Sequence, residues 1–128
     1  MRISQTGLVL TLLLLGATTA AAAPGASLAQ EYFGAIAYSR SDRAHGWAKD
    51  YSSRNEAEQA AVGNCQKHGK DCLAVLWFKN GCGALATGPK GAGWAWDEKQ
   101  SVADQGAVNA CAKHSSACTV KRRVCTTR

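Results

Sequence analysis

The stretch that decides the fold is residues 52–78, with the sequence SSRNEAEQAAVGNCQKHGKDCLAVLWF. Ser53 and Glu56 form a capping-box pattern, in which a hydroxyl and a carboxylate bind free amides at the start of a helix. Small residues then recur every three or four positions, which predicts a narrow helix face suited to close packing on a sheet. Gly69 is expected to end this helix in the left-handed conformation. The apolar run at residues 72–78 predicts a strand that is buried on both faces at the centre of a sheet.

The same plan returns in weaker form at residues 101–124. Cys65 and Cys111 lie 46 positions apart, and so do Cys72 and Cys118. A Gly-Trp pair precedes each helix, and a run of small residues precedes each Gly-Trp pair. Matched landmarks at a near-constant offset indicate an internal duplication.

Two units are too few for an open solenoid, so we expect them to form one compact domain. The predicted fold class is α+β: a single small disulfide-stabilised domain of two pseudo-symmetric ββαβ repeats, with mainly antiparallel sheet and two helices. The first repeat covers about residues 32–80 and the second about residues 82–125. Ser101 and Asp104 imitate the first capping box. The last strand, residues 118–125, is expected at a sheet edge because it contains consecutive basic residues.

The N-terminus has the pattern of a secretory signal peptide: a basic residue, a short apolar segment and then small residues. The apolar segment is shorter than the roughly 20 residues that a membrane-spanning helix needs. Residues 1–29 are therefore predicted to be a signal peptide, cleaved after Ala29 or alternatively after Ala22 or Ala23. Residues 30–128 would form a secreted or periplasmic domain without a transmembrane anchor.

All six cysteines lie in the predicted mature chain, and an even number in an exported protein is typical of a disulfide framework. The repeat favours two equivalent short-range pairs and leaves Cys82 and Cys125 to join the two halves. The short-range pairs are Cys65 with Cys72 and Cys111 with Cys118. By loop-closure entropy, each short bridge contributes about 2.5 kcal/mol and the long one about 4 kcal/mol. The cysteine spacing lacks the close pairs of structural zinc sites, so we predict no metal and no cofactor.

Short motifs of glycines, small residues and cysteines occur along the whole predicted domain. They are Gly34-Ala35-Ile36-Ala37, Gly46-Trp47, Cys72-Leu73-Ala74-Val75, Cys82-Gly83-Ala84-Leu85-Ala86, Gly93-Trp94-Ala95 and Val124-Cys125. Together they resemble the bacterial family catalogued as domain of unknown function 4189, over about residues 32–125. The resemblance implies an exported protein, and mycobacterial members have been considered as host-directed effectors. It transfers no catalytic residue, and it implies a more apolar final strand than Lys121-Arg122-Arg123.

Aromatic residues are the best material for a binding surface, because flat amphipathic rings stack on sugars and anchor protein interfaces. The candidates are Tyr38, Trp47, Trp94 and Trp96. The alternative is that these rings fill the core, where Trp77 is also expected, since both helices present only small side chains. Trp94 and Trp96 share one face of their strand and should be buried or displayed together.

Positive charge is the second candidate feature, and it is concentrated at Lys121, Arg122 and Arg123. The chain has 15 Lys and Arg against 9 Asp and Glu, a formal net charge of +6, which becomes +5 without Arg2. Such a surface attracts anionic partners, for example cell-wall polymers, acidic lipids or acidic proteins. The alternative is that the charge only protects an exposed edge strand. Nucleic acid is not an expected partner, since no nucleic-acid-reading motif is present.

No known catalytic signature occurs in the sequence. His45 could act as a general base with Asp42 or Asp50. Asp97 and Glu98 are adjacent on a predicted strand, where neighbouring side chains point to opposite faces, so they do not suit an acid/base pair. The favoured function is a secreted, non-catalytic binding or interaction protein of unknown partner, in an inhibitor, immunity or host-directed role. A small envelope-acting hydrolase and a structural envelope component are the alternatives.

Overall fold

The structure of the protein is a computed structural model, which describes residues 16–17 and 30–128. The predicted signal peptide lies outside the described residues, apart from residues 16–17. The elements in chain order are β1 (Phe33–Tyr38), β2 (His45–Tyr51), α1 (Arg54–Gln66), β3 (Leu73–Lys79), β4 (Cys82–Gly88), β5 (Gly91–Asp97), α2 (Gln100–Ala112) and β6 (Thr119–Cys125). The order ββαβ therefore occurs twice, and the predicted α+β class with two helices is confirmed.

Each repeat forms its own three-stranded antiparallel sheet, with the order β2-β1-β3 in the first and β5-β4-β6 in the second. Strand β6 is an edge strand as predicted, but the prediction that residues 72–78 form a central strand is wrong. Trp77 is 39% exposed rather than buried in the core. Its ring lies 6.3 Å from that of Phe33 and under the guanidinium of Arg54, so neighbouring side chains cover it only in part.

The two sheets pack face to face, and one helix covers the outer face of each sheet. Along β1, Ala35 and Ala37 pack towards α1, whereas Ile36 and Tyr38 pack towards the second sheet. This is the alternation expected of a strand between two layers. The layers are therefore helix, sheet, sheet and helix, and the core consists of small residues under each helix and larger ones between the sheets. The core between the sheets contains Ile36, Tyr38, Phe78, Leu85 and Val124.

The contacts between the sheets have a pseudo-two-fold relation. Strand β1 lies against β4, β3 against β5, and β2 against β6. Exchanging the first repeat for the second converts the β3–β5 contact into the β6–β2 contact and leaves β1–β4 unchanged. The molecule therefore has two equivalent flanks, each formed by one edge strand from each sheet.

The glycine of each Gly-Trp pair allows a helix to approach its sheet closely. A Cβ atom on Gly46 would lie 2.8 Å from the carbonyl carbon of Asn64, and one on Gly93 would lie 2.6 Å from that of Ala110. Real Cβ atoms essentially never come that close to another heavy atom. Because side chains alternate along a strand, the tryptophan after each glycine points away from the helix, towards the other sheet.

Helix α1 begins as predicted, with the Ser53 hydroxyl accepting a 3.2 Å hydrogen bond from the amide of Glu56. The Glu56 carboxylate accepts a hydrogen bond from the hydroxyl of Ser52, and not from the Ser53 amide. The prediction of a left-handed Gly69 is wrong. Glycine is required there because a Cβ atom would lie 2.7 Å from that of Ala44 in the turn between β1 and β2.

Helix α2 begins differently from its counterpart. Its N-cap is Lys99, without a side-chain hydrogen bond, so the capping box predicted at Ser101 and Asp104 is wrong. Asp104 instead forms an ion pair with Arg123 of β6, at 3.0 Å. The carboxylate is thus used to attach the helix to the sheet.

Disulfides join Cys65 to Cys72, Cys111 to Cys118, and Cys82 to Cys125, so all six cysteines of the chain are paired. The two short bridges connect the end of each helix to the strand that follows. Cys82 and Cys125 are strand partners on β4 and β6, within the second sheet. The expectation that this bridge joins the two halves is therefore wrong, because both cysteines belong to the second repeat.

Candidate functional site

Each of the two equivalent flanks of the sandwich contains a groove, and one groove is apolar whereas the other is basic. We call the groove between β3 and β5 the apolar seam; it has a volume of about 400 Å³ and is lined by β3 together with Trp94 and Trp96. We call the groove between β2 and β6 the basic seam; it has a volume of about 640 Å³. Its lining includes His45, Trp47, Lys67, His68, Lys121 and Arg122.

Equivalent backbone positions carry apolar residues in one seam and basic residues in the other. Leu76 is the strand partner of Ile36 on β1, and Arg122 is the partner of Leu85 on β4 in the same way. In both sheets the preceding residue is left out of the strand pairing by a β-bulge. The exchanges from the apolar to the basic seam are Val75 to Lys121 and Leu76 to Arg122, and the position of His45 corresponds to Ala92 on β5.

Arg122 is half-buried and faces an imidazole instead of a carboxylate. Its Nε and Nη2 atoms both lie 3.4 Å from Nε2 of His45. Among residues 30–128, no carboxylate lies within ion-pair distance of this guanidinium. Its neighbour Arg123, in contrast, points to the helix side of the sheet and pairs with Asp104. The central cation of the basic seam is therefore uncompensated.

His45 has a pKa below its ordinary value of 6.5. The first cause is partial burial, and the positive charges of Arg122 and Lys121, followed by the neighbouring imidazole of His68, act in the same direction. Burial and nearby cations both disfavour the protonated imidazole. The neutral imidazole is therefore favoured, and with its proton on Nδ1 its Nε2 atom can accept a hydrogen bond from the guanidinium.

The other charged residues of the turn at the basic seam are engaged elsewhere. The carboxylate of Asp42 accepts a 2.6 Å hydrogen bond from the amide of Lys70. Arg43 donates to the carbonyl oxygens of Gly88 and Pro89 in the second repeat. The groove thus holds the positive charges of Arg43, Lys67, Lys121 and Arg122 against the single negative charge of Asp42.

The acids that could have served as catalytic partners have other contacts. Asp50 accepts hydrogen bonds from the amide and hydroxyl of Thr127, at 2.8 and 2.5 Å. Slight burial would raise the pKa of Asp50, but these bonds and nearby Lys49 lower it. Asp97 accepts a 2.7 Å hydrogen bond from the amide of Lys99. Neither Asp42 nor Asp50 is hydrogen-bonded to His45 among the described residues.

The structure separates the candidate binding residues into four environments, one of which is the helix side of the second sheet, where Arg123 pairs with Asp104. Trp47, which is 37% exposed, lies in the basic seam with Lys121 and Arg122. Trp94 and Trp96 lie in the apolar seam, but Trp94 is half-buried whereas Trp96 is 52% exposed, so they are not displayed equally. Tyr38 is 5% exposed and belongs to the core between the sheets.

Sequence reasoning did not place the remaining members of the basic seam in the site. The sequence suggests His45 only as a catalytic base, and Lys67 and His68 follow α1, about 20 positions further along the chain. One signal could have found His45, because aligning the two repeats at their Gly-Trp pairs places it opposite Ala92.

Three further properties concern metal binding, membrane spanning and the redox compartment. Among residues 30–128, no cluster of three or more His, Cys, Asp or Glu side chains is arranged to hold a metal ion. None of the helices in that part of the chain has the length and apolar character needed to cross a membrane. Three disulfides in one small domain are typical of proteins that fold in an oxidising compartment.

Comparison with known proteins agrees with the fold. The model of the family described as Domain of unknown function (DUF4189) matches residues 33–125. The chain belongs to the DUF4189 family. This DUF4189 domain is also similar to a solved structure, the NMR structure of Rv1813c from Mycobacterium tuberculosis, with 26% sequence identity and a TM-score of 0.56. The similarity covers 73% of this chain and 74% of the other. No curated protein matches the sequence.

Proposed function

We propose that this DUF4189 domain is a secreted, non-catalytic binding protein that holds an anionic component of the cell envelope in its basic seam. The observation that supports the proposal is Arg122. It is a half-buried cation without a carboxylate partner in the described chain, at a position where the other repeat has Leu76.

The energetics of Arg122 favour a binding role over a structural one. Removing a charge from water is unfavourable unless an opposite charge compensates it. The other repeat has leucine at the same position, so the fold does not require a cation there. A bound anion would supply the missing charge. Groups in such unfavourable electrostatic environments are concentrated at functional sites.

Export and the absence of catalysis have separate support. The N-terminal pattern is that of a signal peptide, and the disulfides suit an oxidising compartment. The hydrolase alternative has less support because His45 faces a guanidinium while the carboxylates of Asp42 and Asp50 are bonded elsewhere. The purely structural alternative, in which the charge only protects the edge strand β6, does not explain why Arg122 lies in the groove beside Trp47.

A sedimentation assay with purified envelope fragments tests the proposal. The test variant is Lys121→Val with Arg122→Leu, which introduces the residues of the first repeat at the equivalent positions. The control is Lys79→Gln with Lys99→Gln, which removes equal charge from exposed positions outside the basic seam. We expect wild type and control to cosediment at low ionic strength, with binding weakened by salt, and the test variant to remain in solution.

Stability provides the second readout of the same variants. Replacing an uncompensated, half-buried cation with leucine should raise the free energy of unfolding by about 1 kcal/mol, measured in urea.

Equal sedimentation of both double variants would contradict the proposal. Turnover of envelope polymer that is abolished by His45→Ala would favour the hydrolase instead.

A further inference from the structure

The basic seam has more positive charge than a single carboxylate can compensate. Lys67, Lys121 and Arg122 form no ion pair among the described residues, and the lining contains one acid, Asp42, whose carboxylate is hydrogen-bonded to the amide of Lys70. A phosphate ester carries about −1.5 to −2 charges at pH 7 and presents three strong acceptor oxygens. The planar fork of an arginine matches the geometry of phosphate. The charge and donor types of the groove therefore suit a phosphate group better than a carboxylate.

Two aromatic side chains line the groove beside these donors. His45 and Trp47 are two positions apart on β2, so both side chains lie on the face that borders the groove. The side-chain amide of Asn64 donates a 2.8 Å hydrogen bond to the carbonyl oxygen of Trp47 and attaches this part of β2 to α1. A partly exposed indole next to a cation is suited to stacking against a sugar ring. The volume of about 640 Å³ is within the usual range for small-molecule sites.

We infer that the basic seam is a binding site for a phosphorylated sugar, with Arg122 and Lys121 recognising the phosphate and Trp47 contacting the sugar ring. This inference rests on the proposed function and adds the chemical class of the ligand. The phosphate compensates Arg122, and the indole discriminates a sugar phosphate from inorganic phosphate.

His45 couples binding to the uptake of a proton. The charged or titratable groups around it are Arg122 and Lys121 on β6, Lys67 and His68 at the end of α1, and Asp42 and Arg43 in the turn before β2. Partial burial first, and then the neighbouring cations, lower the pKa of His45, and a bound phosphate reverses the sign of the local charge. The pKa of His45 then rises on binding, and the imidazole takes up a proton and donates to the phosphate.

Calorimetric titration of the oxidised protein with glucose 1-phosphate, inorganic phosphate, glucose and glucuronate tests the inference. We expect glucose 1-phosphate to bind more tightly than inorganic phosphate, and the neutral and carboxylate sugars at least roughly tenfold more weakly than glucose 1-phosphate. Arg122→Leu should weaken binding of glucose 1-phosphate by roughly tenfold or more. The control Lys99→Gln should bind like wild type. Trp47→Leu should remove the preference over inorganic phosphate but keep phosphate binding.

Proton uptake gives a readout that a merely structural role would not change. Titrations at pH 7 in buffers of different ionisation enthalpy should show uptake for wild type and less uptake for His45→Gln. Binding that is equally tight for glucuronate, or equal in Arg122→Leu and wild type, would overturn the inference.

Vesicle binding and the sedimentation of envelope fragments separate this inference from the proposed function. Vesicles containing phosphatidic acid test whether the phosphate comes from a lipid headgroup; binding to them without binding of glucose 1-phosphate would overturn the sugar assignment. If envelope fragments bind through Lys121 and Arg122 but neither glucose 1-phosphate nor inorganic phosphate does, the proposed function stands and the phosphate inference fails. If envelope fragments do not bind either, both fail.

Discussion

At the scale of single residues, the contact between Arg122 and His45 shows how one exchange between repeats changes the chemistry of a surface. The residues at the equivalent positions of β3 and β5 are Leu76 and Ala92, which are both apolar. Without a bound anion, a guanidinium and an imidazole in these places form a favourable contact only while the imidazole is neutral, since two cations at 3.4 Å would repel each other. The contact is therefore sensitive to pH.

His45 should make the stability of the domain depend on pH. Its pKa in the folded state is below 6.5, so the unfolded chain binds more protons as the pH falls through this region. The contribution of neutral His45 is fully present above the unfolded pKa and is lost as the pH falls through the folded pKa. We expect His45→Ala to reduce the loss of unfolding free energy between about pH 7 and pH 5, measured in urea. His114→Ala, outside the basic seam, is the control; the same loss in both variants would contradict the assignment.

At the scale of elements, glycine positions decide how closely each helix packs on its sheet. Gly46 lies under the backbone of α1, whereas a Cβ atom added to Gly63 within α1 would meet no other atom within 4 Å. The same substitution is therefore expected to have opposite effects at these two sites.

Gly46→Ala should destabilise the domain by about 2 kcal/mol or more, because the added methyl group forces the helix away from β2. Gly63→Ala should stabilise it by about 0.5 to 1 kcal/mol, because alanine has the higher helix propensity and nothing obstructs its side chain. Thermal or urea unfolding of both variants measures the difference. A stabilised Gly46→Ala variant would show that the close approach of helix and strand is not required.

The elements illustrate what can be predicted from the sequence. Helix α1 was predictable because its N-cap, Ser53, and its apolar period are local signals. The edge position of β3 was not predictable, because an apolar run does not show whether a strand has a hydrogen-bonded neighbour on both sides. It also does not show that an apolar side chain such as Trp77 is covered only by single side chains such as Arg54. The basic seam was also not predictable, because it unites residues from separate segments whose proximity depends on the packing of two sheets.

At the scale of the whole molecule, the disulfides reinforce each repeat separately. The bridge between Cys82 and Cys125 encloses the longest loop, with a sequence separation of 43, against 7 for the bridge between Cys65 and Cys72. The two repeats are held together by the apolar layer between the sheets and by hydrogen bonds such as those from Thr127 to Asp50.

Replacing one pair of bridged cysteines by alanine should therefore have an effect that depends on loop length. We expect the Cys82→Ala, Cys125→Ala variant to lose about 4 kcal/mol and the Cys65→Ala, Cys72→Ala variant about 2.5 kcal/mol. Urea unfolding of the two variants, each compared with wild type, tests the order. If the short bridge proves the more important, the entropy of the unfolded chain is not the dominant contribution.

The pseudo-two-fold arrangement also has a consequence for how such a protein can originate. A half-length ancestor with one ββαβ unit would bury its inner sheet face by forming a homodimer, as closed two-fold oligomers do. Both flanks of that dimer would be identical, so any substitution would appear twice. After fusion of two gene copies, a substitution affects one flank only. One flank can then become cationic while the other remains nonpolar.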